Sequence, residues 1–312
     1  MQQGSTTRRA KVSDLLQNFL HDTKDTVHIQ TKTYANSLTH QSQTIKKGHI
    51  SDRYTNDTSD SLYHIPSFPA PMEIKDPTNV VMGYRFRLPI HLIQALEAAT
   101  QHLPVLTEQK HKRGSYVVRH YAQWADFQRY VYHSSEYIKE KPAADAWLMA
   151  NAALFEYLSN YLRIYQPESW LSMRNSIRKA TDGELTGLAT PWHGVAIGQG
   201  MGSEGGEDHQ DWNDEPSVFN AVVPFGSQGW TGGEVVLWQL NMRVAVERGD
   251  CFLFKGAITA HRAEAVTSGQ RNFIDLFCHK SVYDVARHSV ENAGGSKHED
   301  TRKVYPISCT IN

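Results

Sequence analysis

The stretch Asp250-Cys251-Phe252-Leu253-Phe254-Lys255-Gly256 is followed by a β-prone run from His261 to Val266. After the turn Thr267-Ser268-Gly269-Gln270 comes a second run, from Asn272 to Cys278. Short apolar runs rich in branched and aromatic residues, cut by glycine turns, are the pattern of short strands in an all-β core. Upstream, Gly194-Val195-Ala196-Ile197 and residues 218–225, 234–238 and 242–246 repeat the pattern, punctuated by Gly200, Gly202, Gly205-Gly206, Gly226, Gly229, Gly232-Gly233 and Gly249. So many short strands at this density predict a jelly-roll, or double-stranded β-helix, or else a barrel, over 191–285.

Residues 66–190 read differently. Pro89 opens a helix whose face carries Leu92, Ile93, Leu96 and Ala99. Trp147, Leu148, Leu154, Phe155, Leu158, Leu162 and Tyr165 form a longer stripe, and Trp124, Phe127, Tyr130 and Val131 suggest a further helix between them. These side chains are expected as core, buttressing one sheet of the barrel, so the fold class is α+β. Residues 1–65 are polar and expected to be largely disordered apart from an amphipathic helix near 12–20, where Val12, Leu15, Leu16, Phe19 and Leu20 share a face. Residues 286–312 read as a tail.

The chain has 312 residues, a net charge of −1 and a pI of about 7.0, so overall charge neither announces nor excludes a nucleic-acid partner. Any basic surface must be local. Lys110-His111-Lys112-Arg113 with Arg119-His120 is one candidate, and Arg174, Arg178 and Lys179 at helical spacing are another; solvated charge is the plainer alternative for both. Cys251, Cys278 and Cys309 are odd in number and widely spaced, which fits reduced thiols inside the cell. With no apolar run long enough to span a membrane and no signal-like N-terminus, a protein without a membrane partner is expected.

Within the barrel region lies Glu207-Asp208-His209-Gln210-Asp211-Trp212. With 16 His in the chain, about one His-x-Asp is expected by chance, and His298-Glu299-Asp300 supplies one with no later histidine to complete a site. His209-x-Asp211 differs because His261 follows it. On a strand, residues i and i+2 share a face, so His209 and Asp211 can approach one metal while Gln210 turns away. Two imidazoles and one carboxylate select Fe(II) and leave positions for a bidentate co-substrate and O2. Arg271, on the strand after His261, is placed to pair with the distal carboxylate of 2-oxoglutarate. An exposed turn arginine is the alternative.

The segment from Gly249-Asp250 through Phe252-Leu253-Phe254-Lys255-Gly256, His261, Thr267-Ser268-Gly269 and Arg271 to His279-Lys280 resembles the TET/JBP dioxygenases of nucleic-acid bases, in the style of fungal and protist single-domain members. His209-Gln210-Asp211, Val222-Val223-Pro224-Phe225-Gly226 and Gly232-Gly233-Glu234 are similar to that branch as well. The resemblance covers roughly 192–283. It implies iron ligands His209, Asp211 and His261, with 2-oxoglutarate on Arg271. His279 would approach a flipped base, with a strand cap as the alternative. Asp275 stands where a relative can carry an apolar pocket residue, and a carboxylate there can accept from an exocyclic amine.

The implied reaction is hydroxylation of a methyl group on a base, 5-methylcytosine in DNA before RNA. N6-methyladenine, a protein side chain or a small metabolite are the alternatives. A DNA substrate implies the nucleus; the cytoplasm is the alternative. A base inside a duplex must be flipped out and stacked. Trp192, Trp212 and Trp230 are candidates for that surface, with core packing the competing expectation.

Overall fold

The computed structural model describes residues 26–44, 61–105, 117–126, 130–201, 205–226 and 229–293. A nine-stranded sheet dominates it. Its strands are β1 (Val27–Gln30), β3 (Met72–Lys75), β4 (Val81–Arg87), β12 (Asp250–Phe254), β8 (Asn220–Gly226), β15 (Arg271–Phe277), β7 (Gly194–Met201), β5 (Val117–Ala125) and β6 (Val131–His133), in that spatial order. A smaller sheet of four strands, β13 (His261–Ala263), β10 (Val235–Leu237), β11 (Met242–Val244) and β2 (Tyr63–Ile65), packs against it. The pair β14 (Val266–Ser268) and β9 (Thr231–Gly232) forms a separate antiparallel ribbon. This is the expected jelly-roll.

Seven described helices complete the fold: α1 (Ala35–Thr44), α2 (Ile90–Gln101), α3 (Ser135–Lys139), α4 (Lys141–Ala150), α5 (Ala152–Tyr165), α6 (Pro167–Ala180) and α7 (Lys280–Ala293). Leu92, Ile93, Leu96, Trp147, Leu154, Leu158 and Leu162 share one buried cluster with Tyr121, Val195, Ile197, Ala221, Val223, Leu253, Ile274 and Leu276 of the large sheet. The helices therefore buttress one face of that sheet. Its other face meets the small sheet through Phe252, Phe254, Val235, Leu237, Met242, Val244 and Ile258. At about 25 cal/mol per Å² of apolar area, two such clusters on one sheet make its alternation hard to slip.

Three expectations change. Trp124 and Val131 lie on antiparallel strands β5 and β6, not on a helix, because β5 pairs along its length with β7 and the sheet overrides the local spacing; Phe127 falls outside the described residues. The polar first 65 residues hold β1, which adds parallel to β3. They also hold α1, whose Ala35 and Leu38 are buried in the inter-sheet core. Two apolar anchors and a shared ladder are enough to order that part, while the expected helix at 12–20 lies outside the described residues. At the other end, α7 runs into the expected tail as far as Ala293, and His298 to Asp300 are outside the description. Cys251 and Cys278 are buried and unbridged, and Cys309 is not described.

Candidate metal centre and its pocket

His209 and His261 face each other across an isolated antiparallel bridge, exchanging both backbone hydrogen bonds at 2.9 and 2.8 Å. Such a pair places its side chains on one face, and the ring centroids stand 4.3 Å apart. Asp211 comes next in the turn. Its N–H donates to Gly256 O at 3.1 Å, and a Cβ at Gly256 would collide with Asp211 Oδ2, so the close approach needs glycine. Gln210 turns into the core, donating to Ile258 O at 2.9 Å. Asp211 Oδ1 lies 3.7 Å from His209 Nε2, and Oδ2 lies 3.5 Å from His261 Nε2.

The second nitrogen of each ring fixes the chemistry of the first. His209 Nδ1 meets Glu207 O at 2.7 Å and His261 Nδ1 meets Thr259 O at 2.8 Å. A carbonyl only accepts, so each Nδ1 carries the proton and each Nε2 presents a lone pair. Two lone pairs and a carboxylate converge, with one ligand atom from each residue within 4.8 Å of the others. That donor set fits a divalent cation of the imidazole-carboxylate class, and among the described residues no other such group was found.

The triad opens into a cavity of about 790 Å³, counted with its open mouth, between the two sheets. Its lining includes Val222, Val235, Phe254, Arg271, Phe273 and Asp275. Arg271 is buried at the first position of β15, where β7 bulges: Met201 opposes Arg271 and Gly198 opposes Phe273. Gly200 sits in the bulge at φ 77°, and its N–H donates to Asn272 Oδ1 at 2.9 Å. Burial pushes the Arg271 guanidinium down to about 10, opposed by the charge of Glu234, so it stays protonated at neutral pH.

The structure brings His209, Asp211, His261, Arg271 and Asp275 into one cavity. His279 is not in that lining. It follows β15, where it bridges Asp214, lies edge-on to Trp124 at 5.1 Å, and accepts the Ser281 N–H on Nδ1 at 3.2 Å. Burial lowers it to about 4, with Asp284 opposing, so the ring is neutral and its proton sits on Nε2. Trp124 and Phe277 pack at 5.9 Å, and the ring of His120, a cavity residue, touches both. His279 thus belongs to an aromatic shelf continuous with the cavity.

The tryptophan candidates separate. Trp192 is wholly buried, its indole N–H on Phe219 O at 2.8 Å, and is core. Trp212 packs beside Leu62, Val236, Trp238 and Ala260, and Trp230 lies against Gly269; neither lines the cavity. Of the basic candidates, Arg119 is fully buried on Glu140 at 2.7 Å and is structural. Lys110, His111, Lys112 and Arg113 are outside the described residues, while Arg174, Arg178 and Lys179 are exposed along α6. Sequence reasoning passed over His120 and Phe273 as pocket residues. The signal was alternation on β5, which the assumed helix concealed, and alternation from Arg271 along β15.

No protein-family model matches this chain, and no curated protein matches it in sequence. Among solved structures, NgTET1 in complex with 5mC DNA superposes with a TM-score of 0.53 over 80% of this chain and 93% of its own, at 15% identity. The chain has the fold of NgTET1. Further likenesses are to an oxidoreductase of the 2OG-Fe(II) oxygenase family from Burkholderia pseudomallei (12% identity, 80% of this chain, 94% of that one, TM-score 0.36) and to a viral collagen prolyl hydroxylase from Paramecium bursaria Chlorella virus-1, solved with 2OG (16%, 28%, 57%, 0.23).

Proposed function

We propose that the protein is an Fe(II)- and 2-oxoglutarate-dependent dioxygenase that hydroxylates a methyl group on a nucleic-acid base, with 5-methylcytosine in DNA as the leading substrate. The observation that carries the reading is the convergence of His209, Asp211 and His261 in one cavity with the buried Arg271. Bound at the triad, Fe(II) would supply, with 2-oxoglutarate as co-substrate and O2, the oxidation of an unactivated methyl group. The chain's own residues orient and enclose. Thr259 O and Glu207 O hold the imidazoles in the ligating tautomer. Arg271 is the partner for the distal carboxylate of 2-oxoglutarate, and Val222, Val235 and Phe254 are apolar walls that exclude water.

The nucleic-acid part rests on the likeness to NgTET1, whose structure holds 5mC DNA, and on the shelf beside the cavity. A base must leave its stack to bring a methyl to the metal, and the half-buried Trp124 beside the cavity residue His120 offers ring surface for it. His279 offers a neutral N–H donor to its edge. The exposed Arg174, Arg178 and Lys179 along α6 are candidate phosphate contacts. A nuclear location follows from a DNA substrate.

The test is to incubate the full chain with Fe(II), 2-oxoglutarate and oligonucleotides carrying methylated bases, following succinate and the nucleosides by mass spectrometry. Oxidised 5-methylcytosine is the expected product, lost in Arg271→Gln. Absence of turnover on every methylated base sinks the reading.

A further inference from the structure

The turn from Lys255 to Ala260, between β12 and β13, touches every segment that bears a metal ligand. Gly256 O accepts the Asp211 N–H at 3.1 Å, Ile258 O accepts the Gln210 side-chain amide at 2.9 Å, and Thr259 O accepts from His261 Nδ1 at 2.8 Å. The position of this turn therefore sets where the ligands point. Gln210 and Asp211 hold it from one side, and the 3-10 turn Trp238–Leu240, which joins β10 to β11, holds it from another.

Ala260, the buried residue just before the third ligand, is gripped at both polar atoms of its backbone. The Trp238 N–H donates to Ala260 O at 3.1 Å, and Gln239 Oε1 accepts the Ala260 N–H at 2.7 Å. Without that side chain the Ala260 donor would be buried and unpaired. At the other end of the same amide, Gln239 Nε2 is enclosed with no hydrogen-bond partner among the described residues. A side chain placed there for packing alone would not carry an unsatisfied donor, so the position uses the acceptor.

Gln239 is itself held by the N-terminal part of the chain. Its backbone carbonyl accepts the Thr33 hydroxyl at 2.6 Å, across 206 residues of sequence. Thr33 lies between β1 and α1, in a strap fixed at both ends. β1 adds to the edge of the large sheet, while α1 begins where Asp76 Oδ2 accepts the Ala35 N–H at 3.0 Å and buries Leu38 in the cluster that includes Leu240 and Ile258. The strap thus meets both turns, one by a hydroxyl and both by packing.

We propose that the strap of residues 27–44 is part of the support of the metal centre, and that Gln239 is the positioning residue through which it acts on His261. The inference rests on the reading of His209, Asp211 and His261 as a metal site. A docked strap favours the turn that aims His261 Nε2 at the metal, so a bound metal must favour the docked strap by the same factor.

The test uses the full chain with Co(II) in place of Fe(II), followed by calorimetry and by hydrogen exchange. In the wild type, saturating Co(II) is expected to slow exchange of the α1 amides by about tenfold, the low end for an outer partner of a metal ligand. Gln239→Met keeps the length of the side chain and removes the acceptor and the orphaned donor together. Co(II) should then bind about tenfold more weakly and α1 should cease to respond to it, with the unfolding free energy of the metal-free chain little changed. Thr33→Val should act in the same direction by a smaller factor, and Thr33→Ser, which keeps the hydroxyl, should behave as the wild type.

Exchange of α1 that ignores Co(II) in the wild type overturns the inference. So does unaltered affinity in both Gln239→Met and Thr33→Val. Should Gln239→Met fail to fold, the Thr33 pair decides, and an equal response of the Val and Ser variants overturns it. A wild type that binds neither Co(II) nor Fe(II) defeats the metal reading and this inference with it, whereas binding without the link to α1 defeats this inference alone.

Discussion

The two faces of strand β15 do opposite work. Ile274 and Leu276 are fully buried in the cluster shared with the helices, while Arg271, Phe273 and Asp275, the residues between and before them, line the cavity. The same alternation runs through β7, where Val195 and Ile197 meet the helices and Ala196 meets the cavity. One period-2 pattern thus fixes both the register and the site, since slipping a strand by one residue would put Arg271 among leucines. The helix face should govern stability and the cavity face should govern ligands. Variants on each face can test that division.

The largest effect belongs to the triad. Asp211→Ala removes the carboxylate between the two Nε2 atoms, and Fe(II) affinity measured by anaerobic calorimetry should fall by more than about 100-fold. Loss of a partner one shell further out already costs 10- to 100-fold. The chemical denaturation midpoint of the metal-free chain should barely move, because the bridge between His209 and His261 is backbone. A collapse of stability in that variant would show the two faces to be coupled.

Leu276→Ala attacks the other face. Deleting a fully buried leucine should cost about 2–5 kcal/mol in denaturant unfolding, with Fe(II) affinity of the folded protein unchanged. Acid does the same without mutation through His193, which ends the loop before β7. It is wholly buried on the helix side, its Nε2 2.8 Å from Ser176 Oγ. Burial lowers it from 6.5 to about 4, opposed by a hydrogen bond to Met173 O. The folded chain then resists a proton that the unfolded chain takes. Its contribution is present above pH 6.5 and lost as pH falls toward 4, on the order of 3 kcal/mol in all. His193→Gln should flatten unfolding free energy against pH over that window; an unchanged slope would exonerate His193.

Most of the barrel was legible because its strands are short, branched and bounded by glycine, and because His209, Asp211, His261 and Arg271 occur in an order that only a folded-back sheet explains. Chance could not be dismissed from His209 and Asp211 alone; the bridge from His209 to His261 is what joins them. The site's edges were less legible. Arg119 looked like part of a basic stretch, yet pairing of β5 with β7 buries it on Glu140, a partner distant in sequence. The aromatic spacing of Trp124 and Val131 mimicked a helix, yet the pairing of β5 with β6 sets Trp124 opposite Tyr132 and Val131 opposite Ala125. Ala196 carries no chemical signal at all, and its place on the cavity face beside His120 and Asp275 exists only once three strands are aligned.

The smallest effect tests whether the cavity face is itself anchored from behind. Asp208 precedes His209 and Arg262 follows His261, so the bridge sets them side by side, Arg262 Nη1 3.5 Å from Asp208 Oδ2. The Trp238 indole N–H donates to Asp208 Oδ1 at 2.5 Å, and the Arg262 guanidinium lies 5.1 Å from the Trp238 ring centre. Asp208 therefore has two donors that fix the backbone entering the first ligand. Trp238→Phe keeps a ring beneath Arg262 and removes one donor only. If the carboxylate positions His209, Fe(II) affinity should weaken by roughly tenfold, the low end for an outer partner, with little change in unfolding free energy. If affinity holds, the two backbone hydrogen bonds between His209 and His261 suffice to aim the ligands, and the cavity face needs no support beyond its own ladder.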